Sequence, residues 1–168
     1  GVQNVCREVI PVMRANKSGT IINISSIAGL TAAPCFGAYN ASKWALEAFS
    51  ESLFHEMSLW GIKVVLVEPG SYPTNIFSSN ARYAKDFNNP ESPYYKVSQQ
   101  LNAWVQENKK KMTRKPEDVA KLIESIINNP NPQLRYVSDF TSWAEVKARQ
   151  LMPRWLYGQV LRRIQDGK

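Results

Sequence analysis

The spacing of apolar residues divides the chain into helices separated by buried strands. Apolar side chains recur every three or four positions in three segments, which predicts amphipathic helices. These segments are 1–15, 39–60 and 116–127. Between them, 20–25 and 62–67 are runs rich in β-branched residues, and 134–137 is short enough for a last strand. Continuous apolar runs of this kind are typical of strands that are covered on both faces of a parallel sheet.

Two of the predicted helices carry features that constrain their packing. Pro11 lies inside the first, which predicts a kink or an early end because proline lacks the N–H that the helix needs. The second is apolar on two sides, so it is expected to be covered on two sides. One side is a stripe of small residues and the other a stripe of bulky ones: Ala41, Ala45, Ala48 and Ser52, and Leu46, Phe49, Leu53, Met57 and Trp60. Either one large core covers both stripes, or the core covers one and a second partner the other.

Two further segments suggest how a substrate could be held. Residues 75–112 are predicted to be irregular and carry six aromatic residues, which favours a lid or binding loop for a bulky apolar molecule such as a steroid, retinoid or lipid. Alternatively, the rings only pack the loop down. The tail, 140–168, carries apolar residues among six basic ones and is predicted to be helical. We expect it to cover the substrate pocket, with weak contact to a membrane surface as the alternative.

Composition narrows the class of protein. The 168 residues form a single predicted domain, without an apolar run of the roughly 18 residues that a membrane span requires. Two cysteines and one histidine favour reduced thiols, a cytoplasmic location (with peripheral membrane contact as the variant) and no metal site. The net charge of +7 is spread along the chain, so no nucleic-acid partner is expected.

The candidate chemistry lies in Ser26, Tyr39 and Lys43. Tyr39 and Lys43 are four residues apart, so on a helix they share one face. An ammonium beside a phenol favours the phenolate, so Tyr39 is expected to ionise below the roughly 10 of a free tyrosine. Such a phenol can give or take the proton of an alcohol. Singly, each residue also has an ordinary role: a buried tyrosine, a surface charge and a turn cap.

The order and spacing of these residues resemble the classical short-chain dehydrogenase/reductase family over residues 1–140. The residues that carry the resemblance are Asn23-Ile-Ser-Ser26, Gly29, Tyr39-Asn-Ala-Ser-Lys43, Pro69-Gly70 and Thr74. The resemblance implies an α/β fold with a Rossmann-like doubly wound parallel sheet. It also implies an NAD(P)-dependent oxidoreductase that interconverts an alcohol and a ketone or aldehyde.

By the same resemblance, each residue has an expected role. Tyr39 is the general acid/base, Lys43 lowers its pKa and holds the nicotinamide ribose, and Ser26 binds the substrate oxygen, with Ser25 as runner-up. The cofactor, NAD or NADP, is expected against Tyr39, Lys43, Pro69, Gly70, Ser71, Tyr72 and Thr74. A glycine at position 70 would leave room for the flat nicotinamide ring. The family also implies a homodimer or homotetramer.

One part of the family pattern does not occur in this sequence. No Gly-x-x-x-Gly-x-Gly turn, which would hold the cofactor pyrophosphate, is found in the 168 residues. The chain therefore resembles the carboxy-terminal two-thirds of such an enzyme, with the amino-terminal βα units missing. Two alternatives stay open: an inactive fragment or binding module, and a sugar-nucleotide epimerase or dehydratase of the extended branch, which shares the Tyr-x3-Lys pair.

Overall fold

The structure, a computed structural model, describes residues 1–32, 35–77, 79–153 and 155–159. Its helices are α1 (Val2–Ala15), α2 (Gly37–Ser58), α3 (Tyr95–Lys111), α4 (Pro116–Ile127) and α5 (Phe140–Leu151). Its strands are β1 (Gly19–Ile24), β2 (Ile62–Glu68) and β3 (Arg135–Val137). The predicted strands therefore agree with the observed ones to within one residue at each end.

The three strands form one parallel sheet in the order β1-β2-β3. Gly19 pairs with Ile62 and Ile24 with Val67, while Leu66 pairs with Arg135. Because all three strands run the same way, their carboxyl ends meet at one edge of the sheet. In open α/β sheets this is the edge at which ligands bind.

Helices cover both faces of the sheet, as a doubly wound fold requires. Successive residues of a strand point to opposite faces. Val64 packs with Cys6 of α1 and Leu53 of α2, whereas Val65 packs with Ile126 of α4. Burial of each such side chain contributes about 1.5–3 kcal/mol. The α/β fold with a parallel sheet is confirmed.

The first helix agrees with the predicted segment 1–15 to within one residue. It continues through Pro11 to Ala15, so of the two effects predicted for that proline, a kink or an early end, the early end does not occur. Pro11 is exposed. The residues turned inward are Cys6, Ile10 and Met13, while Val2 and Val5 are 39% and 60% exposed.

The prediction of an irregular segment over 75–112 was wrong for its second half. Residues 95–111 form the 17-residue helix α3. Its apolar residues Val97, Leu101 and Val105 recur at four-residue spacing, and three of the six residues between them, two glutamines and an alanine, are strong helix formers. The aromatic content of the segment obscured this periodicity. Only 75–94 consists of turns and one short 3-10 helix, among the residues described.

The structure also separates the two stripes of α2. In the bulky stripe Leu53 and Met57 are buried, whereas the small stripe, Ala41, Ala45, Ala48 and Ser52, is exposed in this chain. A single core therefore does not cover both stripes here.

The tail is helical over α5 and again over 155–159, while the rest of the predicted tail, 160–168, lies outside the described residues. Within the described chain, no helix combines the length and apolar character that a membrane crossing needs.

Candidate active site at the carboxyl edge of the sheet

The first candidate residue, Ser26, lies just beyond the end of β1. The backbone leaves the sheet after Ser25, whose N–H still bonds to the carbonyl of Val67 at 2.8 Å. Ser26 then caps a short 3-10 turn, its Oγ accepting a hydrogen bond from the N–H of Ala28 at 3.1 Å. The same hydroxyl donates to the carbonyl of Pro69 at 3.4 Å. Ser26 is thereby fixed between the ends of β1 and β2.

Tyr39 and Lys43 lie on the first turns of α2, facing the same edge. The Lys43 Nζ donates a 2.9 Å hydrogen bond to the carbonyl of Ile24, the last residue of β1. The ammonium also lies 5.9 Å from the centre of the half-buried Tyr39 ring. Burial lowers the pKa of Lys43, and the negative charge of Glu47, one turn further along α2, opposes that shift. Ser26 and Lys43 are thus held at the end of one strand, with the ring of Tyr39 beside the ammonium.

Gly29 determines how closely α2 approaches the turn that contains Ser26. A Cβ atom on Gly29 would lie 2.9 Å from the Glu47 Cγ, 3.0 Å from the Ser25 Oγ and 3.1 Å from the Lys43 carbonyl oxygen. The contact with Glu47 would force a shift of that side chain, and the contact with the Lys43 backbone would require the helix to move by a few tenths of an ångström. Glycine at this position therefore permits the Lys43–Glu47 turn of the helix to pack directly on the strand end.

The two candidate serines differ in their hydrogen bonds. The hydroxyl of Ser25 is buried, and it has no partner among the residues that the structure describes. It is directed toward Gly29 and α2. Ser26, in contrast, already bonds to two backbone groups. Both hydroxyls therefore lie at the candidate site, but in different environments.

The structure gives Gly70 a reason other than the one expected from the sequence. A Cβ there would collide with the Ser142 Oγ of α5, and would lie 3.0 Å from the Arg114 guanidinium and 3.1 Å from the Asp139 carboxylate. The amino-terminal end of α5 thus occupies the space where a side chain would stand. Glycine is required here by the packing of this chain on itself.

The residues after Gly70 divide into exposed and buried ones. Ser71 and Thr74 are exposed at the sheet edge, where a ligand can reach them. Tyr72 is 6% exposed, and its hydroxyl bonds to the Ser138 Oγ at 2.9 Å. Its side chain therefore holds the loop after β2 to the loop before α5.

Two residues of this edge were not predicted from the sequence. Asp139 caps α5 by accepting a 2.8 Å hydrogen bond from the N–H of Ser142, and forms a 2.8 Å ion pair with Arg114. This pair joins the start of α5 to the segment before α4. An aspartate directly before an apolar-periodic segment is a signal of a helix start that could have indicated the cap.

A cleft of about 330 Å³ elsewhere on the surface does not belong to this site. It is lined by Lys17, Leu59, Trp60 and Gly61, which precede β1 and β2. It therefore lies at the amino edge of the sheet, opposite Ser26 and Lys43.

Comparison with known proteins gives the family. Residues 1–84 match the short chain dehydrogenase family. The uncharacterized oxidoreductase YusZ of Bacillus subtilis is 38% identical over 137 residues, which is 81% of this chain and 49% of that protein. A 3-ketodihydrosphingosine reductase of Bacteroides thetaiotaomicron is 49% identical over 80 residues, covering 48% of this chain and 29% of the reductase.

A solved structure supports the same family. The crystal structure of a short chain dehydrogenase/reductase from Burkholderia phymatum in complex with NAD superposes with a TM-score of 0.72 and 25% identity, over 89% of this chain and 53% of that one. The chain belongs to the short-chain dehydrogenase family. It spans about half the length of the curated relatives that it matches over most of its own length.

Proposed function

We propose that this chain carries the catalytic residues of an NAD- or NADP-dependent oxidoreductase that interconverts an alcohol and a ketone or aldehyde. The observation that carries the proposal is the arrangement at the carboxyl edge of the sheet. Lys43 is bonded to the end of β1, its ammonium lies beside the ring of Tyr39, and Ser26 bridges toward Pro69. These contacts support a site in which a phenol, a cation and a hydroxyl act together.

The residues present fit the nicotinamide end of a dinucleotide. A lysine ammonium has three donors, of which the structure assigns one, to Ile24. Donors of this kind suit the vicinal hydroxyls of a ribose. The exposed Ser71 and Thr74 at the strand end add further polar groups. A bound nicotinamide dinucleotide would supply or accept the hydride of the reaction.

The proton of the reaction falls to Tyr39. In reduction, its hydroxyl gives a proton to the carbonyl oxygen as the carbon gains a hydride, so that a neutral alcohol forms. In oxidation, the phenolate takes that proton back. The Ser26 hydroxyl gives up its long 3.4 Å hydrogen bond to the Pro69 carbonyl and donates to the substrate oxygen instead, which orients that oxygen. A nearby ammonium at Lys43 stabilises the phenolate in either direction.

We propose a bulky apolar substrate. The segment before α3 is rich in rings, and Tyr83 packs on Phe87 with ring centres 4.3 Å apart. Trp104 of α3 is 55% exposed. The similarity to a protein named 3-ketodihydrosphingosine reductase points in the same direction.

We also propose two kinds of contact for the whole protein. The outer face of α5 presents Phe140, Trp143 and Leu151, which are 78%, 45% and 84% exposed, with the exposed Lys147 between them. Aromatic, aliphatic and basic groups on one helix face favour weak contact with an anionic membrane surface.

The second contact is with another copy of the protein. The exposed small stripe of α2 (Ala41, Ala45, Ala48 and Ser52) suits close packing against a second copy in a homodimer or homotetramer.

The test is an assay of the full-length protein. NADH and NADPH oxidation are followed with a sphingoid ketone, a retinoid aldehyde and a steroid ketone, and with a short-chain ketone as the control, while conversion of a UDP-sugar is followed by analysis of its products. The proposal expects turnover with at least one apolar carbonyl and little with the short ketone. Turnover of a UDP-sugar, or dinucleotide binding without any turnover, would instead support the two alternatives and overturn the proposal.

A further inference from the structure

Two buried carboxyl groups that the proposed reaction does not use face each other behind the candidate site. Glu47 of α2 and Glu68, the last residue of β2, are 5% and 1% exposed. Arg135 of β3 approaches both: its Nε is 3.2 Å from the Glu47 Oε2 and 3.4 Å from the Glu68 Oε1. The Oε1 atom of each carboxyl group is buried without a hydrogen bond among the described residues, the 3.4 Å contact of Glu68 with Arg135 being an ion pair only.

The charges of this cluster do not balance if both buried groups are ionised. Arg135 also forms a 2.7 Å ion pair with Glu51, which is exposed to solvent. One guanidinium thus serves three carboxyl groups, two of them buried. Burial of a second carboxylate without its own cation is costly, and two carboxyls can hydrogen-bond to each other only if one carries a proton.

The position of the cluster connects it to the site. Glu47 is one turn after Lys43 on the same face of α2, and Glu68 directly precedes Pro69. The negative charge of Glu47 acts on Lys43, where it favours the ammonium form. The three groups therefore join the helix that carries Tyr39 to the strand end that leads into Gly70.

We propose that Glu47, Glu68 and Arg135 are positioning residues of the proposed oxidoreductase, and that the two carboxyls share one proton. With the shared proton, the Glu68 carboxyl donates a hydrogen bond to Glu47. The negative charge then remains on Glu47, where it interacts with the cations of Lys43 and Arg135. The cluster then holds α2 at a fixed setting against β2 and β3. A change in its charge would shift Tyr39 relative to the loop after β2.

The electrostatics of the surrounding elements agree with this assignment. Burial, and then the charge of Glu47, raise the pKa of Glu68 to about 8, with a hydrogen bond to Glu47 adding to the shift. Arg135 of β3 and Lys147 of α5 act in the opposite direction and do not cancel it. Near neutral pH, Glu68 therefore holds the proton.

The protonation of the buried carboxyl pair is tested first, by a measurement that does not depend on enzyme activity. Infrared spectra of the full-length protein at pH 7 are compared between wild type and Glu68→Gln, with Glu51→Gln as the matched control. We expect the band of a protonated buried carboxyl to be lost in Glu68→Gln and kept in Glu51→Gln. Identical spectra for wild type and Glu68→Gln would overturn the shared proton.

The positioning role is tested by kinetics, and this part rests on the proposed function. Glu68→Gln, which keeps the size and a hydrogen-bond donor, is expected to retain kcat within about threefold at pH 7. Glu68→Leu cannot donate and is expected to lower kcat at least about tenfold, while the KM for the dinucleotide changes by less than about threefold. A purely structural role would lower thermal stability in Glu68→Leu but leave kcat per folded molecule unchanged, and that result would overturn the proposal.

A second variant covers the case in which Glu68→Leu does not fold. Arg135→Gln removes the cation that serves both carboxyls, and is expected to reduce kcat more at pH 9 than at pH 6, because the second buried charge develops as the pH rises. A pH profile parallel to wild type would contradict the role. If wild type itself shows no NAD(P)-linked turnover, the proposed function fails, and the infrared comparison still decides whether the proton is shared.

Discussion

The ammonium of Lys43 donates a 2.9 Å hydrogen bond to the carbonyl of Ile24, the last residue of β1. A side chain of α2 is thus tied directly to the end of the strand that precedes Ser26. This bond gives the Ile24 carbonyl a partner from α2 while it fixes the cation. The position of the charge therefore depends on the sheet rather than on the flexible lysine chain.

Replacement of Lys43 by methionine should reduce activity strongly. The variant keeps the apolar stem and removes the charge beside Tyr39 and a donor for the ribose. We expect kcat/KM to fall by about 10²-fold or more, with a raised KM for the dinucleotide. Lys63→Met is the control, because Lys63 also donates to a carbonyl, that of Asn129 at 3.4 Å, but lies at the amino end of β2, away from the carboxyl edge of the sheet. Equal losses in the two variants would remove Lys43 from the site.

The two serines should respond differently to replacement by alanine. Ser26→Ala is expected to lower kcat by about 10²–10³-fold, as for the loss of one donor to a developing oxyanion. Ser25→Ala removes a buried hydroxyl that has no partner among the described residues, so it should be neutral or slightly stabilising and leave kcat within about threefold. The reverse order in steady-state kinetics would assign the substrate oxygen to Ser25.

Gly29→Ala should destabilise the protein and disturb the site together. The added methyl group would lie 3.1 Å from the Lys43 carbonyl oxygen and 2.9 Å from the Glu47 Cγ. Such overpacking costs about 1–3 kcal/mol of unfolding free energy. Gly37→Ala is the control, since its Cβ would meet nothing within 4 Å at the start of α2. Denaturant unfolding that shows equal effects would contradict the close approach of α2 to the Ser26 turn.

The pH dependence of stability should report on Glu68. Its pKa is raised from 4.5 to about 8 by burial and by Glu47, so the folded protein binds the proton more tightly than the unfolded chain does. This contribution to stability is full below about 4.5, declines as the pH rises toward 8, and is absent above that. Denaturant unfolding at pH 5, 7 and 9 should therefore show a steeper loss of stability in wild type than in Glu68→Gln. Parallel pH profiles for the two proteins would contradict the raised pKa.

The sequence predicted the elements whose patterns depend on local burial alone. The β-branched run of β2 is apolar at consecutive positions because both faces are covered, and its bounds were recovered to one residue. The buried face of α4 followed its apolar spacing, with Val119, Leu122, Ile123 and Ile126 packed inward, although Ile127 is 59% exposed. Where burial alone determined the pattern of apolar residues, the predicted strand or helix agreed with the structure.

Features that arise from contacts between distant segments were not predicted. The cluster of Glu47, Glu68 and Arg135 joins three elements, and nothing in the spacing of those residues indicates that they meet. The demand for glycine at position 70 comes from Ser142, seventy-two residues later in numbering. The roles of Ser26, Tyr39, Lys43 and the cofactor residues rest on the resemblance and stay predictions, because a folded chain alone does not reveal a reaction.

The most direct measurement is the turnover of Tyr39→Phe in the full-length protein, with dinucleotide binding measured on the same preparation. Removal of one hydroxyl should lower kcat by about 10²–10⁴-fold, as expected for a general acid, and leave the Kd for the dinucleotide nearly unchanged. Tyr136→Phe is the control, since that hydroxyl lies on β3 and accepts a hydrogen bond from the N–H of Gln133 at 3.0 Å. Turnover of Tyr39→Phe within tenfold of wild type would contradict the assignment of the proton to Tyr39.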